Sequence, residues 1–271
     1  VHDINTELVD SSNNILSSNI NYEFQDDMNY LGLSASIFED LKKTDRSRYE
    51  YFLPSISFER NIYNNNELGL INLLSNAYVK NVEVDQTTKM LVNDFNWKSR
   101  PFRNFKGVQS EFEGLFKLTN YEADADRYKT DGLTTQANAA IAYNASLPLT
   151  KTNVKENKVS FLTPKLSLRS APGHMRNMSD SQLKLGIENL YALNKLSAMD
   201  VIETGTSLTL GADYSYKNKS DFEKLNLSIG QVFNYEENRD IPSKTSLDQK
   251  MSDVVGEIKY NFSEIGLIDY K

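Results

Sequence analysis

Between Gln136 and Leu149 the chain reads QANAAIAYNASLPL. Ala137, Ala139, Ile141, Tyr143, Ala145, Leu147 and Leu149 fill the odd positions. The even positions hold Gln136, Asn138, Ala140, Ala142, Asn144, Ser146 and Pro148, none a large hydrophobe. Successive side chains of a strand point to opposite faces, so this stretch has one greasy face and one small, polar face. The fold turns on what meets the greasy face: the core of a soluble sandwich, or lipid.

The alternation recurs. Leu16, Ile20, Tyr22 and Phe24 oppose Ser17, Asn19, Asn21 and Glu23. Phe112, Gly114, Phe116 and Leu118 oppose Gln109, Glu111, Glu113 and Lys117, with Leu115 the exception. Leu208, Leu210, Ala212, Tyr214 and Tyr216 oppose Ser207, Thr209, Gly211, Asp213 and Ser215; Leu225, Leu227, Ile229, Phe233 and Tyr235 oppose Asn226, Ser228, Gly230 and Asn234. Ile258, Tyr260 and Phe262 oppose Glu257, Lys259 and Asn261. Helical periodicity is nearly absent, so the chain is all-β. Strands are expected near 15–25, 28–40, 50–60, 67–82, 88–98, 107–120, 134–149, 158–170, 205–217, 223–236, 252–262 and 265–271. Several are longer than the roughly five or six residues typical of soluble strands, and cover the roughly 9 to 11 that a tilted membrane strand needs. In 158–170 the apolar parity switches between Phe161 and Leu162 close to Pro164, and a bulge is expected there.

Connections sort by side. The set 26–27, 61–66, 99–106, 150–157, 218–222 and 263–264 averages about 5 residues, and the set 41–49, 83–87, 121–133, 171–204 and 237–251 about 15. Tight turns on one side and long loops on the other are the habit of outer-membrane barrels. Aromatics stand at both strand ends, with Tyr214 and Tyr216 toward the short turns and Phe233 and Tyr235 toward the long loops, as interfacial girdles require. Lipid is the better partner for the greasy face.

Composition narrows the class. The 271 residues are 39% hydrophobic and 25% charged, ordinary for a folded chain. A net charge of -7 argues against an electrostatic nucleic-acid binder. No stretch approaches the roughly 18 to 20 unbroken apolar residues of a membrane helix. There is no cysteine, hence no disulfide or thiolate chemistry in the chain, and Val1 is not followed by a basic-plus-apolar leader.

The runs LTPKLSLRSAPGHMRNMSD, NLYALNKLSAMDVIETGTSLTLGADYSY and LNLSIGQVFNY carry a resemblance, in this order. They are similar to the LPS-assembly outer-membrane protein family, LptD or organic solvent tolerance protein. That family has a strand with an early Pro, and a long loop with an N-L-F-x-x-N-R-x-x-G-x-D-R-I-like motif. A strand carrying G-Q-x-[YF] follows. The matching residues are Pro164, Asn189, Leu190, Tyr191, Asn194, Lys195, Asp200, Ile202, Glu203, Gly205, Gly211, Gly230, Gln231 and Phe233. LVNDFNWKS and GVQSEFEGLFKLTNYEADAD also resemble the family, so the likeness spans nearly the whole chain. Lys195 stands where Arg is usual, Ala198 where Gly is common, and Val201 where Arg often follows the Asp. Lys lacks the planar fork for a bidentate contact. The family's whole protein has a periplasmic jellyroll and a barrel of about 26 strands. About twelve are present here, so residues 1–271 are expected to form one antiparallel transmembrane β-barrel domain, a middle portion left open because incomplete.

The resemblance implies transport of lipopolysaccharide (LPS) to the outer leaflet of the Gram-negative outer membrane, with no bond chemistry. It also implies a plug lipoprotein in the lumen, periplasmic LPS bridge proteins and outer-membrane lipid as partners, and no nucleic acid. Gln109, Glu111, Glu113, Lys117, Asp213, Glu257 and Lys259 are the expected lumen-facing wall. No catalytic, cofactor or metal residue is expected. His2 and His174 lie far apart, and Glu122, Asp124 and Asp126 lack the Gly and terminal Glu of a calcium loop. Arg176, Lys195 and Arg239 could meet lipid phosphates, although loop charge more commonly keeps a surface soluble. A general porin or substrate-specific channel is the alternative. It would be a complete barrel of about 16 to 18 strands, and would not account for the motif order. The loop 171–204 is expected to fold inward, with a strand at 182–188, a helical turn at 189–195, and Asn194 and Asp200 satisfying backbone groups at bends. Arg is expected to be costly at Leu210 or Ile229 and tolerated at Thr209 or Ser228.

Overall fold

A computed structural model describes residues 14–44, 48–82, 86–104, 107–125, 128–153, 158–217, 223–263 and 266–270. The described residues form a single antiparallel sheet of 14 strands. In chain order these are β1 (Ile15–Gln25), β2 (Asn29–Asp40), β3 (Tyr49–Asn65), β4 (Gly69–Val82), β5 (Gln86–Lys98), β6 (Phe102–Asn104) and β7 (Val108–Ala125). Then come β8 (Tyr128–Ser146), β9 (Leu149–Asn153), β10 (Lys158–Ala171), β11 (Gly205–Lys217), β12 (Glu223–Asn234), β13 (Val255–Ser263) and β14 (Gly266–Tyr270). The order is a meander of twelve, β1-β2-β3-β4-β5-β7-β8-β10-β11-β12-β13-β14, with β6 paired to β7 and β9 to β10. β1 and β14 stand at its two ends.

Three sequence expectations change. Residues 121–133 are not a loop: β7 runs to Ala125 and β8 starts at Tyr128. Tyr121 and Ala123 keep the alternation going and are buried with Met90 and Val92, a cluster that polar neighbours hid from a reading of the sequence. The side-sorting of loop lengths therefore rests on 172–204 and 235–254. The turns expected at 99–106 and 150–157 contain β6 and β9. Finally, no bulge marks Pro164. β10 pairs with β11 without a register shift from Val159 to Ala171. On the other side, Leu162 opposite Leu149 and Lys165 opposite Ser146 belong to one register. Pro148 falls in the gap between β8 and β9 and Pro164 lies in β10 opposite that gap; both lack N–H groups, so two prolines interrupt a continuous ladder there. Leu147 N still donates to Pro164 O at 3.0 Å. Val159 and Phe161 simply share the parity of the polar face.

The chain divides into two compact units. The described residues of 1–62, 72–95 and 118–137 make one. Its buried cluster is Met90, Val92, Tyr121 and Ala123, with Tyr78 against it. The residues of 63–71, 96–117 and 138–271 make the other. There the usual rule of burial is reversed. Ile141 (53% exposed), Leu168 (49%) and Ile229 (47%) are open, whereas Ser167 (3%), Arg169 (3%) and Thr209 (1%) are covered. Water alone would select the opposite pattern.

Candidate functional site

The polar face of the second unit is covered by its own loops. The segment 172–204, between β10 and β11, has no strand at 182–188, and over 189–195, where a helical turn is expected, it makes single hydrogen-bonded turns. Ala192 N donates to Asn189 O at 3.1 Å and Ser197 N to Asn194 O at 3.2 Å. Asn side chains substitute for regular structure. Asn189 Oδ1 accepts from Gly186 N at 2.8 Å, and its Nδ2 donates to Lys184 O at 3.0 Å and Lys195 O at 2.8 Å. Asn194 Nδ2 donates to Ala198 O at 2.9 Å and Val201 O at 2.8 Å. Asp200 pairs with Arg176 at 2.5 Å. Gly205, where the loop enters β11, has φ +124°, a conformation open to Gly and strained for other residues.

Below these bends lies a buried charge cluster. Arg169 of β10 donates from Nε to Leu193 O and from Nη2 to Glu203 O, each at 2.6 Å. Its Nη1 is 3.5 Å from Glu203 Oε1, and Lys195 Nζ reaches the same oxygen at 3.1 Å. Burial lowers the pKa of Lys195, and the Glu203 carboxylate opposes that shift. Lys195 is thus a buried anchor and is not available to lipid phosphate, while His174 and Arg239 lie on the surface. Lys117 Nζ donates to Met199 O at 2.5 Å. Leu115, the exception to the β7 alternation, packs with Ile202, Ala140 and Ala171 beneath the loop.

A second loop, 235–254, closes over the first. Ile241 and Leu247 join Leu190, Leu196 and Val232 in one core. Met178 N donates to Asp240 O at 2.7 Å. Gln231, at the parity of Leu227 and Ile229, donates to Ser252 O at 2.6 Å, and Ser252 Oγ accepts from Val232 N at 2.9 Å. Gln231 and Val232 of β12 therefore tie down the return of this loop.

Of the remaining expected wall residues, Glu111, Glu113, Asp213, Glu257 and Lys259 form ion pairs on the same face. Lys98 reaches Glu111 at 3.1 Å and Glu113 at 2.8 Å, Lys165 pairs with Asp213, and Lys259 reaches Glu257 at 2.9 Å. Gln109, Glu111, Glu113, Asn144, Lys165 and Tyr191 line a cavity of about 310 Å³. Burial, with a smaller contribution from Asp213, pushes the Tyr191 hydroxyl up to about 12. Asn93 shares the parity of exposed Leu91 and Phe95 and accepts from Ser75 Oγ at 2.7 Å. Glu122 pairs with Lys89 at 3.1 Å. Among the described residues, no group of three or more His, Cys, Asp or Glu is placed to hold a metal ion. His2 and Asp126 lie outside the described residues.

Arg169, Ile241 and Leu247 were not singled out in the sequence. Arg169 was marked by its parity, shared with Ser167 on the polar face, but its partners lie more than twenty residues away.

These features define an antiparallel meander with an apolar exposed face and a charged face partly covered by folded loops, the class of a β-barrel wall. The family described as LptD, LPS transport system D, matches residues 3–265, and the chain belongs to that family. No curated protein matches it. At the level of the family, its work is LPS transport and assembly.

Proposed function

We propose that this chain forms part of an outer-membrane barrel wall that delivers LPS to the outer leaflet. Its apolar face meets hydrocarbon, and its charged face borders the path of the sugar-phosphate head group. The carrying observation is the reversed burial of the second unit: branched aliphatics are exposed along β8, β10 and β12 while Ser167, Arg169 and Thr209 are covered. Exposed apolar bands suit a bilayer, and ion-paired walls suit a polar cargo that must move on. The lumenal plug lipoprotein and the periplasmic bridge proteins are the partners this reading requires. The folded loops close the outer mouth while lipid leaves sideways.

A photo-crosslinking residue at Gln109 or Glu113 tests the path. LPS adducts are expected at both positions in growing cells, and they should fade when LPS synthesis is blocked. A general channel gives no LPS adduct at either.

A further inference from the structure

Glycine inside a strand leaves nothing to pack and costs chain entropy, so two glycines facing each other across a ladder need a reason. Gly211 of β11 and Gly230 of β12 are direct partners. A Cβ added to Gly230 would collide with Leu190 Cδ2, while the nearest backbone atom, Leu210 O, is 3.0 Å away. A Cβ added to Gly211 would collide with the Tyr191 hydroxyl and the Ile229 carbonyl. Two consecutive loop residues therefore occupy the space that side chains of two adjacent strands would fill. Leu190 is fully buried there, packed with Val232 and with Ile241 and Leu247 of the second loop. Lys165 Nζ sits 5.5 Å from the centroid of the Tyr191 ring, holding it over the strand.

We infer that Gly211 and Gly230 form a socket that fixes the 172–204 loop in one seated position, with Gly230 reserved for Leu190 and Gly211 for Tyr191. The socket is what makes the loop a stopper, so the inference rests on the proposed role of the loops in closing the mouth. Gly230 gives the cleaner test, because its chief obstacle is the end of a flexible side chain.

The test uses Gly230→Ala, Leu190→Ala and the double variant in the full chain, expressed in Gram-negative cells. Barrel assembly, protease cleavage within 172–204 and entry of a bulky antibiotic are measured. Gly230→Ala is expected to assemble, expose the loop to protease and admit the antibiotic. The double variant, with the clash removed, should regain more protection than either single change. A Gly230→Ala protein that assembles with its loop protected overturns the socket, as does failure of both Gly230→Ala and the double variant to assemble. Assembly of the double variant alone supports it. Loop cleavage without antibiotic entry sustains the socket and removes the stopper role.

Discussion

Glu203 is the residue on which the loop's charge balance depends. It is 4% exposed and is shared by Arg169 and Lys195, and its Oε2 has no hydrogen-bond partner. Removing one partner of a buried ion pair costs about 3–5 kcal/mol, because the remaining charge stays desolvated. Glu203→Gln is therefore expected to lower the denaturant midpoint and expose 172–204 to protease. Lys195→Arg should have the opposite sign. A guanidinium fork can reach both carboxylate oxygens, so this variant is expected to be neutral or stabilising in the same assay. Loss of stability in Lys195→Arg comparable to that in Glu203→Gln would mean the site is limited by space and not by charge.

At the scale of the strand, β7 shows how the two faces are assigned. Phe112 and Phe116 are exposed on one face, with Glu113, Lys117 and Thr119 on the other. Past Asn120 the same face stays exposed but its chemistry swaps: Tyr121 and Ala123 continue the buried face while Glu122 is exposed beside Lys89. A face that is apolar and then becomes polar along one strand reads as the edge of the lipid band. Arg at Phe116, Leu210 or Ile229 should cost about 2–4 kcal/mol at mid-depth in a bilayer. Arg at Glu122, beyond the swap, or at Ser228, on the opposite face, should cost little. Thr209 departs from the expectation of tolerance, since it is 1% exposed under the loops and has no room for Arg. Unfolding from bilayers by denaturant measures the series, and equal costs at Ser228 and Ile229 would refute the face assignment.

For the molecule as a whole, the loops matter through what they cover. Leu190, Leu196 and Ile202 are almost wholly buried, and each such side chain contributes about 1.5–3 kcal/mol relative to exposure. A loop with that much apolar area under cover stays seated. Deleting 175–200 removes Leu190, Tyr191 and Lys195 but leaves Arg169 with Glu203 and the β10–β11 ladder intact. The deleted protein is expected to assemble and to render cells permeable to bulky antibiotics. Assembly at normal levels with unchanged permeability would show that the loop closes nothing.

The amino-acid sequence by itself determined the sheet: strand identity, antiparallel order and the two faces. Those follow from a period of two that every strand imposes on its own neighbours, as in 136–149, and no distant residue is needed to read it. It also carried the family, through ordered residues such as Asn189, Asn194, Gly230 and Gln231. Tertiary structure alone decided what those residues do. That Asn189 staples Gly186 to Lys195, that Leu115 faces Ile202, and that Leu190 fills the space above Gly230 depend on the register that brings 172–204 back over β10, β11 and β12. The same holds for Tyr121 and Ala123, whose acidic neighbours made a loop of what is strand. A side chain's partner across a fold is set by packing between distant segments, and local periodicity carries no record of it.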